Sequence, residues 1–335
     1  MPSFAPPLPV ADPFGRKITY LRLSLTDRCN FRCTYCMAED MEFLPRASIL
    51  TLEENLRLAR IFVSLGVEKL RLTGGEPMVR HNFLWLVEQL GALPGLQELV
   101  MTTNGSLLTR YGRDLAKAGV KRLNVSLDSL NPATFQRITR TDRLALVLEG
   151  IQAAQAAGLG PIKLNTVMQR GINDGELVSL TRYALGQGLD IAFIEEMPLG
   201  DLGHGRNTTF YSAEEALTQL KREFPLIPSL ESSGGPARYW RVPGYSSRIG
   251  FIAPHSHNFC DSCNRLRVTA RGDLYPCLGQ NGGVALLPLL RAHPDEDEPV
   301  RQAILEAVAQ KPQGHDFASQ MDQPQVLRFM SMTGG

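Results

Sequence analysis

Six cysteines, which fall into two groups of three, are the residues of this sequence best suited to metal chemistry. The first group, Cys29, Cys33 and Cys36, has the spacing Cys-x3-Cys-x2-Cys and follows a short apolar run. A structural zinc site usually takes four ligands, so three thiols without an adjacent fourth predict a metal centre with an open position. A four-iron cluster fits this description, because one iron stays free to bind a small chelating molecule. A zinc loop completed by a remote ligand stays open as the alternative.

The second group of thiols has the spacing Cys-x2-Cys-x13-Cys, again without an obvious fourth ligand. Its members are Cys260, Cys263 and Cys277. Between them, Arg265 and Arg267 flank Leu266, and on a strand both guanidinium groups would project to one face. Arginine suits carboxylates, phosphates and nucleobase edges, so the sequence predicts a substrate pocket beside a second centre whose open iron binds substrate. A solvated pair of surface arginines is the competing interpretation.

A glycine pair lies between these groups, in the segment Thr73-Gly74-Gly75-Glu76-Pro77. Paired glycines let the backbone approach a ligand closely, and the carboxylate of Glu76 can accept a hydrogen bond from an ammonium group. A simple turn would look the same, so the segment alone does not decide between the two.

The elements that must position these residues follow from the hydrophobic periodicity. Short apolar runs predict strands at 20–25, 70–73, 98–102, 123–127, 162–167 and 191–194. Helical patterns at 52–65, 84–90, 107–118, 144–157 and 176–185 fill the intervals. The first helix opens on Thr51 with Glu54 three residues later, which predicts a capping box.

Six βα repeats predict an α/β fold with a parallel sheet covered by helices, either a partial TIM-like barrel or a doubly wound sheet. In both architectures the chemistry is expected at the carboxyl ends of the strands. After about Pro236 the pattern changes to short strands at 239–242, 248–252 and 266–269 and a helix at 300–310. We therefore expect a flexible segment 1–15, a barrel domain 16–235 and a smaller C-terminal domain 236–335.

Composition restricts the classes of function. The 335 residues carry 35 Lys and Arg against 34 Asp and Glu, a formal net charge of +1, which lacks the general basic field that nucleic-acid polymers attract. No stretch approaches the ~20 apolar residues that cross a bilayer, and the proline-rich start lacks an export signal. We therefore expect a cytoplasmic protein without nucleic-acid or membrane partners, whose clustered thiols stay reduced.

Several motifs together give the chain a family resemblance. The first cysteine loop, with Tyr35 before its last cysteine, and the Gly-Gly-Glu segment resemble the radical S-adenosylmethionine superfamily. Over nearly the whole chain the sequence is similar to one family within it, the GTP 3′,8-cyclases of molybdenum cofactor biosynthesis. The motifs are Thr26-Asp-Arg-Cys-Asn-Phe-Arg-Cys, Tyr35-Cys-Met, Thr73-Gly-Gly-Glu-Pro, Met101-Thr-Thr-Asn-Gly, Leu123-Asn-Val-Ser-Leu-Asp, Asn264-Arg-Leu-Arg and Gly334-Gly335.

The resemblance implies two [4Fe-4S] clusters, one on each cysteine group, with S-adenosylmethionine on the open iron of the first. Its implied contacts are Tyr35, Gly74, Gly75, Glu76, Ser126 and Met197. Reductive cleavage there gives a 5′-deoxyadenosyl radical that removes the ribose C3′ hydrogen of GTP, and the C3′ radical attacks guanine C8. Reduction of the resulting aminyl radical gives the implied product, (8S)-3′,8-cyclo-7,8-dihydroguanosine 5′-triphosphate, which makes the protein a lyase in the first step of the pathway.

The resemblance also implies the substrate contacts and the partners. The implied GTP-binding residues are Arg22, Lys69, Arg71, Thr102, Lys163, Arg265, Leu266 and Arg267. Gly334 and Gly335 are expected to reach into the active site, where larger residues would not fit. The expected partners are a flavodoxin- or ferredoxin-type electron donor and the downstream cyclic pyranopterin monophosphate synthase, and the chain could form a homodimer.

One position departs from the family pattern. The sixth strand commonly carries an arginine where this chain has Ala192, so a phosphate contact is expected to be missing, with Arg182, Lys163 or another nearby cation in its place. Two other functions remain open. One is a twin-cluster radical maturase acting on a peptide, and the other is a zinc-binding adaptor or nucleic-acid-binding module.

Overall fold

A computed structural model describes residues 9–203, 205–231, 234–315, 317 and 324–334 of the chain. The strands of this part of the chain are β1 Tyr20–Ser24, β2 Lys69–Thr73, β3 Glu98–Thr103, β4 Val120–Ser126, β5 Ile162–Met168, β6 Asp190–Glu195, β7 Ile227–Ser229, β8 Arg238–Arg241, β9 Arg248–Ile252, β10 Arg265–Val268, β11 Asp273–Tyr275 and β12 Val284–Ala285. The helices are α1 Leu52–Ser64, α2 Phe83–Gly91, α3 Leu108–Lys117, α4 Pro132–Thr139, α5 Leu144–Ala156, α6 Leu177–Gly186, α7 Arg206–Thr209, α8 Ala213–Lys221, α9 Leu287–Ala292, α10 Glu298–Ala309 and α11 Met330–Thr333.

The strands form one sheet in the order β12-β11-β10-β1-β2-β3-β4-β5-β6-β9-β8-β7. The run from β10 through β1 to β6 and on to β9 is parallel, and antiparallel strands continue it at both edges. The predicted α/β fold with six parallel βα repeats is therefore confirmed. Strand β10 pairs with β1 and strand β9 pairs with β6, so the outer backbone groups of β1 and β6 are not left unpaired. The sheet thus continues without a break past residue 236, and the domain boundary near it stays a prediction.

Local sequence accounts for most element boundaries. The predicted capping box of α1 is confirmed, since Thr51 accepts from the Glu54 N–H and Glu54 accepts from the Thr51 N–H. Sequence analysis missed α4, which begins after Asn131, whose side chain caps the first turn, with Pro132 at the first helical position. None of the described helices combines the length and the apolar composition needed to span a bilayer.

Alternation along the strands separates the core from the interior of the barrel. Leu21, Leu23, Leu70 and Leu72 are buried in the core that the helices cover. Their neighbours at alternate positions point the other way and line a cavity inside the barrel. The segment before β1 is hydrogen-bonded to the end of α1, since the Val10 N–H donates to the Leu65 carbonyl at 3.2 Å. Residues 1–8 of the segment predicted to be flexible lie outside the described residues.

Candidate active site

The cavity inside the barrel, of about 250 Å³, brings together most of the residues that the sequence singled out. All six cysteines line it, although the two groups are more than 200 positions apart in the chain. The other predicted site residues on its wall are Arg22, Tyr35, Lys69, Arg71, Gly74, Gly75, Thr102, Ser126, Lys163, Met197, Arg265 and Arg267.

The two cysteine groups lie at opposite ends of neighbouring strands. Cys29 follows the carboxyl end of β1, whereas Cys263 precedes the amino end of β10, which pairs in parallel with β1 from Tyr20 opposite Arg265. Cys277 follows β11, which runs antiparallel to β10 and so ends at the same edge. A five-residue strand spans roughly 17 Å, which sets the scale of the space between the groups. The second group therefore lies at the amino end of the parallel strands and not at the carboxyl end where chemistry is expected, because Cys260 and Cys263 precede β10 in the chain.

The first cysteine loop is partly buried, and its surroundings disfavour the ionised form of its thiols. Burial raises the pKa of Cys29 to about 11 and that of Cys36 to about 12, and it raises the pKa of Cys33 well above the usual value. The Asn104 side-chain amide donates to Cys29 Sγ at 3.7 Å. Tyr35 donates to Asp128 at 2.7 Å and ties the loop to the end of β4. A cationic cluster would offset the cost of ionising these thiols, so the loop fits such a group.

The second cysteine loop has a different electrostatic environment. Burial alone would raise the pKa of Cys263, but the charges of Arg265 and Lys311 lower it to about 7. Within the described residues, no three His, Cys, Asp or Glu side chains surround one point closely enough to ligate a single ion. A four-iron cluster does not require this, because each cysteine binds a different iron. Three thiols on the wall of the cavity therefore fit such a cluster at either loop.

The glycine pair packs against the first cysteine loop rather than leaving open space. A Cβ on Gly74 would lie 2.7 Å from the Thr26 carbonyl oxygen, and one on Gly75 would overlap the Arg28 carbonyl. Both glycines still line the cavity, but Glu76 does not. Its buried carboxylate accepts from the Asn104 N–H at 2.7 Å, and burial raises its pKa to about 7. The segment therefore holds the loop in place as well as forming part of the wall.

Several cations line one part of the cavity, and their charges change the pKa values of the buried side chains Tyr20 and Lys163. Arg71 donates to the Tyr20 hydroxyl at 2.5 Å. Burial alone would raise the pKa of Tyr20, but Arg71, Arg22 and Lys69 lower it to about 7. Burial, together with Arg71 and Arg122, lowers the pKa of Lys163 to about 7. An anionic ligand would relieve this repulsion, because it supplies the missing negative charge.

Sequence reasoning missed two groups of this wall. Arg122 on β4 lines the cavity and lies 3.5 Å from Glu98, which also pairs with Lys69 at 2.7 Å. Asn124 and Asn165 also line it, and their buried side-chain oxygens have no hydrogen-bond partner among the described residues. The alternation of β4 and β5 places all three on the interior face, a signal that was present in the sequence.

The structure corrects the prediction for Arg182 and restricts what two other positions can do. Arg182 does not replace the missing strand-six arginine, because it is exposed on α6 and pairs with Glu223 at 3.5 Å. Ala192 itself is fully buried. Leu266 was expected to bind substrate, but its side chain packs in the core, which leaves only its backbone for such a contact.

The end of the described chain reaches this site. The carbonyl of Gly334 accepts from Arg267 at 2.7 Å and from Arg22 at 3.4 Å. A Cβ on Gly334 would overlap Thr73 Oγ1, and the positive φ of 76° also favours glycine there. Gly335, predicted to share this role, lies outside the described residues.

Comparisons with known proteins show the family and the fold of this chain. The family model described as the radical SAM superfamily matches residues 23–184, and the one described as Molybdenum Cofactor Synthesis C matches residues 189–317. The solved structure of SuiB from Streptococcus suis bound to S-adenosylmethionine is similar with a TM-score of 0.63. It covers 94% of this chain and 77% of that one at 13% identity, a likeness that shows the fold alone.

Relatives with much higher identity span the whole architecture. The GTP 3′,8-cyclase of Ectopseudomonas mendocina is 54% identical over 97% of this chain and 98% of its own length. GTP 3′,8-cyclase 1 of Pseudomonas aeruginosa is 56% identical over 96% of this chain and 98% of its own. This chain therefore belongs to the GTP 3′,8-cyclase family of the radical S-adenosylmethionine superfamily.

Proposed function

We propose that this chain is a lyase that converts GTP to (8S)-3′,8-cyclo-7,8-dihydroguanosine 5′-triphosphate, the first step of molybdenum cofactor biosynthesis. One observation carries the proposal. Two partly buried cysteine triads stand at opposite ends of β1 and β10, and a cavity walled by cations lies between them. A nucleotide fits this arrangement, because its triphosphate needs cations while its purine, on the other side of the ribose, needs different partners.

The cations of the cavity would bind the triphosphate. Arg22, Lys69, Arg71 and Lys163 supply donors, with Thr102 beside Arg71 at 3.2 Å. A triphosphate loses much hydration inside the protein, so several cations are needed to offset that cost. Arg122 adds a further cation on the same wall, and we propose that it supplies the contact that position 192 lacks.

The second triad and its arginines would hold the purine. Arg265 and Arg267 share the cavity face of β10, next to Cys263, and β10 lies beside Arg22 on β1. A second [4Fe-4S] cluster on Cys260, Cys263 and Cys277 would bind the purine through its open iron. Rigid guanidinium groups would then fix the ring so that C8 lies within reach of C3′, which is catalysis by positioning.

The first triad would hold the other cluster and S-adenosylmethionine, contacted by Tyr35, Gly75, Ser126 and Met197. When bound, this pair supplies a 5′-deoxyadenosyl radical able to take the C3′ hydrogen of GTP. The buried wall and Gly334 would keep water away from the radical. We further propose a flavodoxin- or ferredoxin-type electron donor and a downstream cyclic pyranopterin monophosphate synthase as partners.

Anaerobic reconstitution tests the proposal. The expected protein is brown with about eight irons per chain. With dithionite and S-adenosylmethionine it should form 5′-deoxyadenosine in proportion to GTP, but not with ATP. Cys36→Ser should abolish the reaction, and Cys277→Ser should remove about half of the iron. A colourless protein that binds zinc, or deoxyadenosine formation indifferent to the nucleotide, would contradict the proposal.

A further inference from the structure

Lys311, which follows α10, is a buried cation whose ammonium group is directed at the second cysteine loop. It is 2% exposed. Its Nζ lies 3.7 Å from Cys263 Sγ and donates to the Arg265 carbonyl at 3.1 Å and to the Pro276 carbonyl. Pro276 directly precedes Cys277, so one side chain connects the two segments that contain Cys263 and Cys277.

Lys311 differs from the neighbouring cation Arg16 in that no carboxylate balances its charge among the described residues. Arg16 also contacts this loop, donating to the Cys260 carbonyl at 2.7 Å, but the buried carboxylate of Asp12 pairs with it at 2.5 Å. In the part of the chain that the structure describes, no carboxylate forms an ion pair with Lys311. Its contact with Cys263 Sγ therefore places this positive charge beside the second cysteine group.

We propose that Lys311 is a positioning residue that holds the second cluster loop together and stabilises the reduced form of the cluster. The inference rests on the second cluster put forward under the proposed function. Reduction adds negative charge to the cluster, and a positive charge close to one of its sulfurs favours that form more than the oxidised one. An N–H donor to a cysteine sulfur acts in the same direction.

The test measures the midpoint potential of the second cluster alone by EPR-monitored titration. The full-length chain carries Cys29→Ser, Cys33→Ser and Cys36→Ser, so that about four irons should remain. In this background Lys311→Met should lower the ratio of reduced to oxidised cluster at a fixed potential by about tenfold, equal to about 59 mV for one electron. Lys221→Met, on the exposed end of α8, is the matched control and should leave the potential unchanged.

A second pair of variants separates the effect of the positive charge of Lys311 from the effect of its hydrogen bonds. Lys311→Arg keeps the charge and Lys311→Gln keeps only an N–H donor, so the first should retain the potential and the second should lower it. An unchanged midpoint in Lys311→Met with full iron content, or equal midpoints in Lys311→Arg and Lys311→Gln, would overturn the proposal. Failure of the proposed second cluster is seen separately, because the background chain itself would then contain no iron.

Discussion

GTP binding to this chain should weaken steeply as the pH rises above about 7. Burial, Arg71 and Arg122 lower the pKa of Lys163 to about 7 in the nucleotide-free cavity. A bound triphosphate replaces that repulsion by attraction and returns the pKa of Lys163 toward its ordinary value of 10.5. The complex then holds more protons than the free protein, so binding takes up a proton and the Kd rises with pH.

The size of the effect follows from the pKa of the free protein. Each pH unit above 7 should weaken binding by up to tenfold, which is about 1.4 kcal/mol. Between pH 7 and pH 9 the Kd should therefore rise roughly 50-fold. The terminal phosphate has a second pKa of about 6, so it is ionised throughout this range and does not contribute. Tyr20, whose pKa is also lowered to about 7, acts in the same direction when it ionises.

Isothermal titration calorimetry of GTP in two buffers with different ionisation enthalpies gives both the Kd and the number of protons taken up. Lys163→Arg should bind with a much flatter pH profile, because the guanidinium stays charged. Tyr20→Phe separates the contribution of the phenol. The reasoning fails if the wild-type Kd is the same at pH 7 and pH 9, or if no proton is taken up at pH 8.

Three substitutions test other parts of the site. Arg122→Met should weaken GTP binding by about tenfold through loss of one phosphate contact, and adding Ala192→Arg should restore the binding. An unchanged Kd in the single variant would show that Arg122 does not contact GTP. Gly334→Ala should abolish turnover with both clusters intact, while Gly282→Ala, where a Cβ meets nothing within 4 Å, should remain active. Asp128→Asn should destabilise the fold by about 2 kcal/mol, because it weakens the hydrogen bond that Tyr35 donates to this side chain. Thermal unfolding measures the effect, and a Tm equal to that of the parent would contradict it.

The local signals in the sequence predicted most of the elements well. The capping box of α1 is formed by the two residues that the sequence indicated, and the strand predicted at 248–252 has those bounds in the structure. The period of two along β10 placed Arg265 and Arg267 on one face, and the structure confirms that both line the cavity. The same period assigns Leu266 to the core, a signal that the family resemblance outweighed.

The sequence by itself thus indicated how the thiols fall into two groups, since the members of each group are close in the chain, and it determined the family. Only the tertiary structure decided that the two thiol groups face one cavity from opposite ends, because the pairing of β10 with β1 joins residues more than 200 positions apart. It also decided that Lys311 touches Cys263 and that Gly334 meets Arg267. Periodicity tells which face of a strand a side chain occupies, but the partner across that face depends on how distant segments pack.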